Sequence, residues 1–415
     1  MITEKKLFKI YSVLAIYIIV ITITLASIGT YLDNKKLLIL HPYIFFIGFG
    51  NLSILILNRY LTNAIYPQLE ISPKNKLIYI ANVLTSILLV TFAIYLKIPL
   101  LKAVAGFMLM LSSSHAIYEI FKNLSIKEIW NDISARYYIF DVLFLLNAAL
   151  GLFVLGLKEA YPNLKLIPFF ITESSYFLGS SFPLSISTMG FIYSYIVRNN
   201  DKNLIRKFFD YWFYIFVGGV LTFLILILMD LYRGMMISSN SLIIGVVIIF
   251  FITLNFLIKF YRNKFKHPTF SFVISGISLL ILTGIFGVMN IYYLQGREYG
   301  SRLADIHMWI YKSHTHAALL GWISLSFLGI LYAVYPSINK NNSTKNLKEG
   351  FKKLLSEKQI KNAFIQLFIA VTMIVIIEFA FYYDNKTILL ISGLILSSSI
   401  SFTFVNLIKN RNYES

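Results

Sequence analysis

Long apolar runs separated by short polar segments make up most of the chain. A helix needs about 20 mostly apolar residues to cross the hydrocarbon core of a bilayer. The pattern predicts twelve such helices, at 8–31, 38–60, 77–96, 99–121, 137–157, 167–197, 209–231, 241–260, 268–294, 305–336, 361–383 and 386–408. The two longest segments are expected to tilt or to extend beyond the hydrocarbon. The expected fold class is therefore all-α, a polytopic integral membrane protein, with 1–415 forming a single transmembrane domain.

Composition supports a membrane protein and narrows the chemistry. Of the 415 residues, 58% are hydrophobic and 13% are charged, whereas a soluble globular chain has roughly half and a quarter. The chain contains no cysteine. Disulfides, iron–sulfur clusters, thiolate metal sites and covalently attached c-type haem are therefore excluded.

The net charge of +18 would suggest a nucleic-acid partner in a soluble protein, but its distribution suggests membrane orientation. With twelve spans, 26 of the 37 Lys and Arg residues fall on the side of both termini and 11 on the opposite side. Cytoplasmic loops carry the excess of basic residues. We therefore expect a multi-pass protein of the inner (plasma) membrane with both termini in the cytoplasm, a cytoplasmic loop at 337–360, the lipid bilayer as surroundings, and no nucleic acid.

Three of the six histidines lie at related depths within their predicted spans. His41 lies near the start of the second span, and His314 and His316 lie in the tenth, which runs in the same direction. His41 and His316 are therefore expected at similar depth. Ionisable side chains are costly in a bilayer and indicate functional sites. Two imidazoles at matched depth on separate helices can face each other across a flat ligand.

The spacing of His314 and His316 also restricts the ligand. Residues two apart on an α-helix are rotated by about 200°, so the two side chains leave opposite faces. This suits two haems side by side, each with one axial imidazole from the same helix, better than a single metal site. The alternative is that the three histidines are packed, hydrogen-bonded polar residues of a helix bundle.

The residues around these histidines resemble those of a known family. The tenth span reads His314-Thr-His316-Ala-Ala-Leu-Leu-Gly-Trp322, followed by Gly-Ile-Leu-Tyr332 and then Pro336. The second span reads His41-Pro-Tyr-Ile-Phe-Phe-Ile-Gly-Phe-Gly50. Both segments are similar to the second and tenth helices of haem–copper oxidase catalytic subunits I, in particular the C-family (cbb-type) cytochrome c oxidases and the related nitric oxide reductases. That family also has twelve spans.

The resemblance implies a fold and a cofactor. The fold would be a bundle like that of haem–copper oxidase subunit I, holding one or two b-type haems. His41 and His316 would be the axial ligands of a low-spin haem iron, and His314 the proximal ligand of a second haem iron. The haem propionates would point toward the outer face, where Arg297, Arg302 and Lys312 lie. Charge-assisted hydrogen bonds from such residues suit buried carboxylates.

One part of the family pattern is missing. Catalytic members hold a copper ion with one histidine on the sixth helix and two on the seventh, and nitric oxide reductases hold iron there. In this chain Ser180 stands at about the position of the sixth-helix ligand, and the seventh span has no histidine. Hydroxyl oxygens are poor copper ligands. A copper site is therefore not expected. Glu173 and Glu378 are candidates for a proton path or for metal binding, or else are hydrogen-bonded residues of the bundle.

Three functions stay open. The first is a haem b protein in respiratory electron transfer or small-gas reduction, an oxidoreductase supplied by a cytochrome c-type or quinol donor and by partner subunits. The second is a non-catalytic haem protein: a gas sensor, a tolerance factor or an assembly subunit. The third is a haem-free transporter with histidine proton relays, although transporters usually have broken helices and inverted repeats.

Overall fold

A computed structural model of the chain describes residues 3–163, 172–180, 185–197, 203–229, 231–262, 267–294, 307–341 and 354–409. The described part is 92% helical and contains no strand. Eleven of its helical segments are long and apolar enough to cross a membrane. The prediction of a polytopic all-α membrane protein is confirmed at this level, and eleven of the twelve predicted spans have a matching helix.

The α-helices, in chain order, are α1 Glu4–Tyr31, α2 Lys35–Tyr43, α3 Arg59–Ile65, α4 Pro73–Leu96, α5 Leu100–Asn123, α6 Ile126–Asn131, α7 Ile133–Ala160, α8 Glu173–Ser180, α9 Ser185–Phe191, α10 Asn203–Leu228, α11 Tyr232–Arg262, α12 Pro268–Leu294, α13 Met308–His316, α14 Leu325–Asn341, α15 Glu357–Tyr382 and α16 Lys386–Thr403. Several continue directly into π-helical segments, at Ile44–Gly50, Ser53–Asn58, Ile192–Val197, Ala317–Ser324 and Phe404–Lys409. The second span is thus continuous over Lys35–Ile65, and the tenth over Met308–Ile338.

The sixth predicted span, 167–197, lies partly outside the described residues. Its described part consists of α8 and of α9 with the π-helical segment that follows it. Residues 167–171 and 181–184 of this span are outside the described residues. Helical residues occupy both ends of the predicted loop 337–360. Helix α14 extends to Asn341, and α15 begins at Glu357.

The chain forms two compact units. The first comprises Met1–Gly190, Ala333–Gln359 and Ser397–Ser415, and the second comprises Phe191–Tyr332 and Ile360–Leu396. In the first unit α5 packs against α4 and α7, and α1 packs against α2. In the second, α10, α11 and α12 pack in chain order, and α12 also packs along α13 and the π-helical segment after it.

The helices that carry the predicted haem ligands are the most buried of the eleven spans. Within an 18-residue window, 78% of the residues of Lys35–Ile65 and 89% of those of Met308–Ile338 are buried, against 33–56% for the other nine. A helix whose sides are covered by protein holds polar side chains away from lipid. These two helices are therefore well placed to hold the residues of an internal site.

Close backbone contact joins α5 to α7 in the first unit. A Cβ atom on Gly106 would lie 2.3 Å from the backbone nitrogen of Phe153, and one on Gly156 would lie 2.2 Å from that of Ala103. Each helix therefore presents a glycine to the backbone of the other. Small residues permit this approach between membrane helices, where dispersion contacts replace the hydrophobic effect.

Replacing Gly106 by alanine is expected to destabilise the protein by about 1–3 kcal/mol, because the obstructing atoms are backbone and cannot rotate away. Thermal unfolding of the detergent-purified protein measures the effect. Gly218→Ala is the matched control, since nothing lies within 4 Å of its added Cβ. There the change should be neutral or stabilising by up to ~1 kcal/mol. Equal losses at the two positions would contradict this account of the contact.

A buried histidine lies immediately before α12, outside the spans. His267 is 3% exposed and precedes Pro268, and burial lowers the pKa of its imidazole to about 3. An unfolded histidine takes up a proton near pH 6.5. Between these two values the unfolded chain binds the additional proton, so acidification favours unfolding.

Stability is accordingly expected to fall as the pH is lowered from about 7 toward 4. His267→Gln, which cannot titrate, should make the dependence shallower. His115→Gln is the control, because the His115 side chain is 42% exposed. Melting temperatures of the three proteins between pH 4 and 8 provide the measurement. Parallel curves for the wild type and His267→Gln would refute this assignment.

Candidate functional site

His314 and His316 each have one ring nitrogen fixed by a backbone carbonyl. His314 Nδ1 lies 2.8 Å from the Thr283 carbonyl oxygen on α12, and His316 Nδ1 lies 2.7 Å from the Lys312 carbonyl oxygen. A carbonyl can only accept, so Nδ1 carries the hydrogen in both rings. In the neutral imidazole, Nε2 then has the lone pair. This is the usual second interaction of a metal-ligating histidine.

The two rings contact different neighbouring helices of the second unit. His314 lies against α12, where a Cβ on Gly287 would be 3.1 Å from its Cε1 and Nδ1 atoms. His316 lies against α15, with its ring centroid 4.6 Å from that of Phe381. The side chains thus leave opposite faces of α13, as a rotation of about 200° requires.

A buried carboxyl group lies beside this histidine pair. Glu378 on α15 is 8% exposed, and its carboxyl group faces the hydroxyl of Ser313, the residue before His314. Glu378 is one helical turn from Phe381, the residue that contacts His316. Lys312 lies on the same side, with Nζ 5.9 Å from the Phe381 ring centroid. One acidic and one basic group therefore flank the pair.

π-helical segments follow both sets of histidines. Ala317–Ser324 begins directly after His316, and Ile44–Gly50 begins three residues after His41. Such segments often occur at functional sites because they widen the helix and redirect side chains. Three other π-helical segments are described in this chain, so the feature supports a site only together with the histidines.

His41 belongs to the first unit and lies on α2, immediately before Pro42. Tyr43, two residues further, takes part in a polar cluster. Its hydroxyl donates to Glu173 Oε1 at 2.7 Å and accepts from Lys102 Nζ at 3.1 Å. Lys102 also pairs with Glu159 at 2.9 Å. This cluster connects α2 to α5, α7 and α8 and restricts the position of the helix that carries His41.

Ser180, at the position expected for a second-metal ligand, lies at the end of α8 and is 8% exposed. It lines a cavity of about 10 Å³ together with Asn51 and Tyr176, which is room for about one water molecule. Among the residues that the structure describes, there is no group of three or more His, Asp or Glu side chains arranged to hold a metal ion.

Two predicted residues are not described, and two other histidines lie apart from His314 and His316. Arg297 and Arg302 fall outside the described residues. His307 stacks on Tyr293 with ring centroids 3.9 Å apart. His115 Nδ1 is 2.6 Å from the Tyr79 hydroxyl. Neither His307 nor His115 belongs to the pair on α13.

Sequence reasoning did not select Asp141, an aspartate of α7 with 0% exposure. Its Oδ2 accepts from the backbone N–H of Ser187, at 3.1 Å, and from the Ser187 hydroxyl. Asn58 Nδ2 donates to that hydroxyl at 2.6 Å. Ser187 lies on α9 and is fully buried, so Asp141 connects α7 to α9 and satisfies polar groups that water does not reach. An aspartate inside the predicted fifth span was the available signal.

Comparison with known proteins does not identify the chain. No protein-family model matches it, and no curated protein matches it in sequence. The interpretation of the site therefore depends on the geometry above and on the resemblance of the two histidine-containing segments.

Proposed function

We propose that the protein is a membrane haem b protein resembling subunit I of the C-family cytochrome c oxidases and nitric oxide reductases. The observation that carries the proposal is the hydrogen bonding and orientation of the two imidazoles on α13. Both have Nδ1 on a carbonyl oxygen, both keep a lone pair on Nε2, and they lie on opposite faces of one deeply buried helix. These residues fit axial ligation of two haem irons.

In this proposal His316 and His41 hold a low-spin haem iron, and His314 holds the iron of a second haem. The haems would supply one-electron redox chemistry and one open coordination position for a small gas. The chain itself fixes the imidazoles. Thr283 and Lys312 orient them through their carbonyl oxygens, and Gly287 leaves room for the His314 ring. Arg297, Arg302 and Lys312 would pair with the haem carboxylates.

The finer architecture is part of the same proposal. The segment containing α8 and α9 would be the sixth of twelve spans in a bundle like that of subunit I. The distribution of Lys and Arg supports an inner-membrane protein with both termini in the cytoplasm. A cytochrome c-type or quinol donor would deliver electrons, with partner subunits, because a chain without cysteine has no ligands for an iron–sulfur or thiolate copper centre.

For the reaction we propose respiratory electron transfer or reduction of a small gas. The alternative, a non-catalytic gas sensor, tolerance factor or assembly subunit, is favoured by Ser180, a hydroxyl where a metal-binding imidazole would be needed. Turnover of oxygen and of nitric oxide, with copper and non-haem iron analysis of the purified protein, distinguishes the two. Turnover of either gas together with a bound second metal would establish an oxidoreductase. Bound haem without turnover and without a second metal would establish the non-catalytic alternative.

A haem-free transporter is the third candidate, and one observation favours it. Asp141 is a fully buried carboxylate inside the fifth span, and it accepts hydrogen bonds from the backbone N–H and the hydroxyl of Ser187. Ionisable side chains buried inside a membrane often mark substrate or proton pathways.

Carbon monoxide binding tests the proposed role of His314. It should bind to one of two reduced haems in the wild type and to none in His314→Ala, with the low-spin haem retained. A purified protein without haem would exclude the first two functions and leave the transporter.

A further inference from the structure

A small polar cavity lies beside the second span, within the first unit. Its volume is about 10 Å³, which is room for about one water molecule. Three polar side chains line it, from Asn51 at the end of the π-helical segment Ile44–Gly50 and from Tyr176 and Ser180 on α8. Asn51 is 5% exposed, Tyr176 6% and Ser180 8%. These side chains are therefore shielded from bulk water.

Two of the three side chains have a polar atom that no described residue completes. The Asn51 Nδ2 group donates to the Phe46 carbonyl oxygen at 3.0 Å. Because a carbonyl only accepts, this bond determines which end of the amide is the nitrogen and leaves Oδ1 as an acceptor. Asn51 Oδ1 and the Ser180 hydroxyl are both buried without a hydrogen-bond partner. Unsatisfied polar atoms of this kind are uncommon in folded proteins, because they are costly.

Tyr176 brings a third polar group to the cavity. Its hydroxyl faces that of Ser180 without reaching hydrogen-bond geometry. Its ring stacks on the ring of Tyr43, with centroids 5.7 Å apart, and Tyr43 is itself held by the hydrogen bond to Glu173. One cavity is thus lined by an amide oxygen that can only accept and by two hydroxyl groups that can donate or accept.

We propose that this cavity binds one water molecule, which donates to Asn51 Oδ1 and hydrogen-bonds to the hydroxyl groups of Ser180 and Tyr176. Other ligands of this size do not match the lining. A halide only accepts, so it cannot complete Oδ1. A divalent cation such as Mg²⁺ or Ca²⁺ takes about six oxygen ligands or more, and no carboxylate is among the described residues that line the cavity. Cavities that stay dry are apolar.

The water connects α8 to the span that carries His41. Ser180 belongs to α8, and Asn51 follows the π-helical segment that begins three residues after His41. A bridging water is nearly as favourable in enthalpy as a direct hydrogen bond, so it holds the two elements together. The site lies wholly within the first unit and does not depend on haem binding. The proposed function can therefore fail while this inference stands.

A double-variant cycle in the full chain tests the proposal, with the melting temperature in detergent as the readout. Asn51→Leu and Ser180→Ala each remove one partner of the water, so each should lower the melting temperature. Because the water is lost only once, the double variant should fall by less than the sum of the two single falls, by at least ~1 °C. Ser27→Ala is the matched control. Ser27 is a buried serine of α1 that donates to the Ile23 carbonyl oxygen, and its effect should add to that of Asn51→Leu.

Gly50→Ala tests whether this coupling requires the space of the cavity. Gly50 lines the cavity, and the nearest described neighbour of an added Cβ is the Phe45 carbonyl oxygen at 3.8 Å. The methyl group should displace the water and lower the melting temperature. In this background the effects of Asn51→Leu and Ser180→Ala should become additive. A dry cavity predicts a rise for Gly50→Ala and for Ser180→Ala, because filling a void and removing an unsatisfied hydroxyl both stabilise.

Additive falls in the otherwise wild-type protein, a rise with Ser180→Ala, or coupling that persists unchanged in Gly50→Ala would each overturn the proposal. Should Asn51→Leu not fold, Tyr176→Phe removes only a hydroxyl and takes its place in the cycle. A high-resolution density map of the wild type should show one water within about 2.5–3.2 Å of Asn51 Oδ1 and of the Ser180 hydroxyl oxygen. A map with no density between these atoms would also overturn it.

Discussion

Replacing His316 by alanine is expected to remove the low-spin haem while leaving the second haem in place. The change removes one of the two proposed axial ligands. The other face of α13 is unaffected, because His314 is held separately by the Thr283 carbonyl oxygen. Haem content should fall from two per chain to one, and the remaining haem should still bind carbon monoxide. Pyridine haemochrome analysis and optical spectra of the purified variant measure both quantities.

Two further variants, one at the second proposed ligand and one control, test the same ligand assignment. His41→Ala should have the same spectral effect as His316→Ala, since the proposal places both on one iron. His115→Ala should leave both haems, because His115 lies on α5, where it contacts Tyr79. Survival of both haem signals in His41→Ala and His316→Ala would contradict the ligand assignment.

Asp141→Ala is expected to cause the largest loss of stability, about 3 kcal/mol. The variant would leave the Ser187 N–H and hydroxyl without their acceptor in a buried position, at about 1–3 kcal/mol for each unsatisfied group. It would also remove the hydrogen-bonded connection between α7 and α9. Asp141→Asn keeps one acceptor oxygen, so its loss should be less than half as large. Thermal unfolding in detergent measures the series.

Glu70→Ala is the matched control for Asp141, because Glu70 is an exposed carboxylate outside the spans. Its effect should stay within about 0.5 kcal/mol. If Asp141→Ala were as mild as Glu70→Ala, the hydrogen bonds to Ser187 would contribute little to the fold.

Helix positions were largely predictable because apolar length decides where a chain can cross a membrane. The ninth span was predicted at 268–294 and the structure has Pro268–Leu294; proline favours the first turn of a helix. The sixth span, 167–197, was less predictable. Glu173 and Pro183 interrupt its apolar run, and hydropathy contains no information on a hydrogen bond to a distant residue, such as that from Ser187 to Asp141.

The site was predictable only where a local rule applied. Spacing alone determines that His314 and His316 leave opposite faces of a helix. The carbonyl that fixes Nδ1 of His314 was not predictable, because Thr283 lies on another helix 31 positions earlier in the chain. The acceptor of His316 is local, the carbonyl of Lys312 four residues earlier. The assignment of His41, His314 and His316 to haem irons stays a prediction.

The most direct test of the central claim is the reduced-minus-oxidised optical spectrum of the purified wild-type protein. The account predicts the absorption bands of b-type haem, with up to two haems per chain. A protein that is folded, as judged by a cooperative melting transition, and that has no haem absorbance after expression with sufficient haem supply would contradict it.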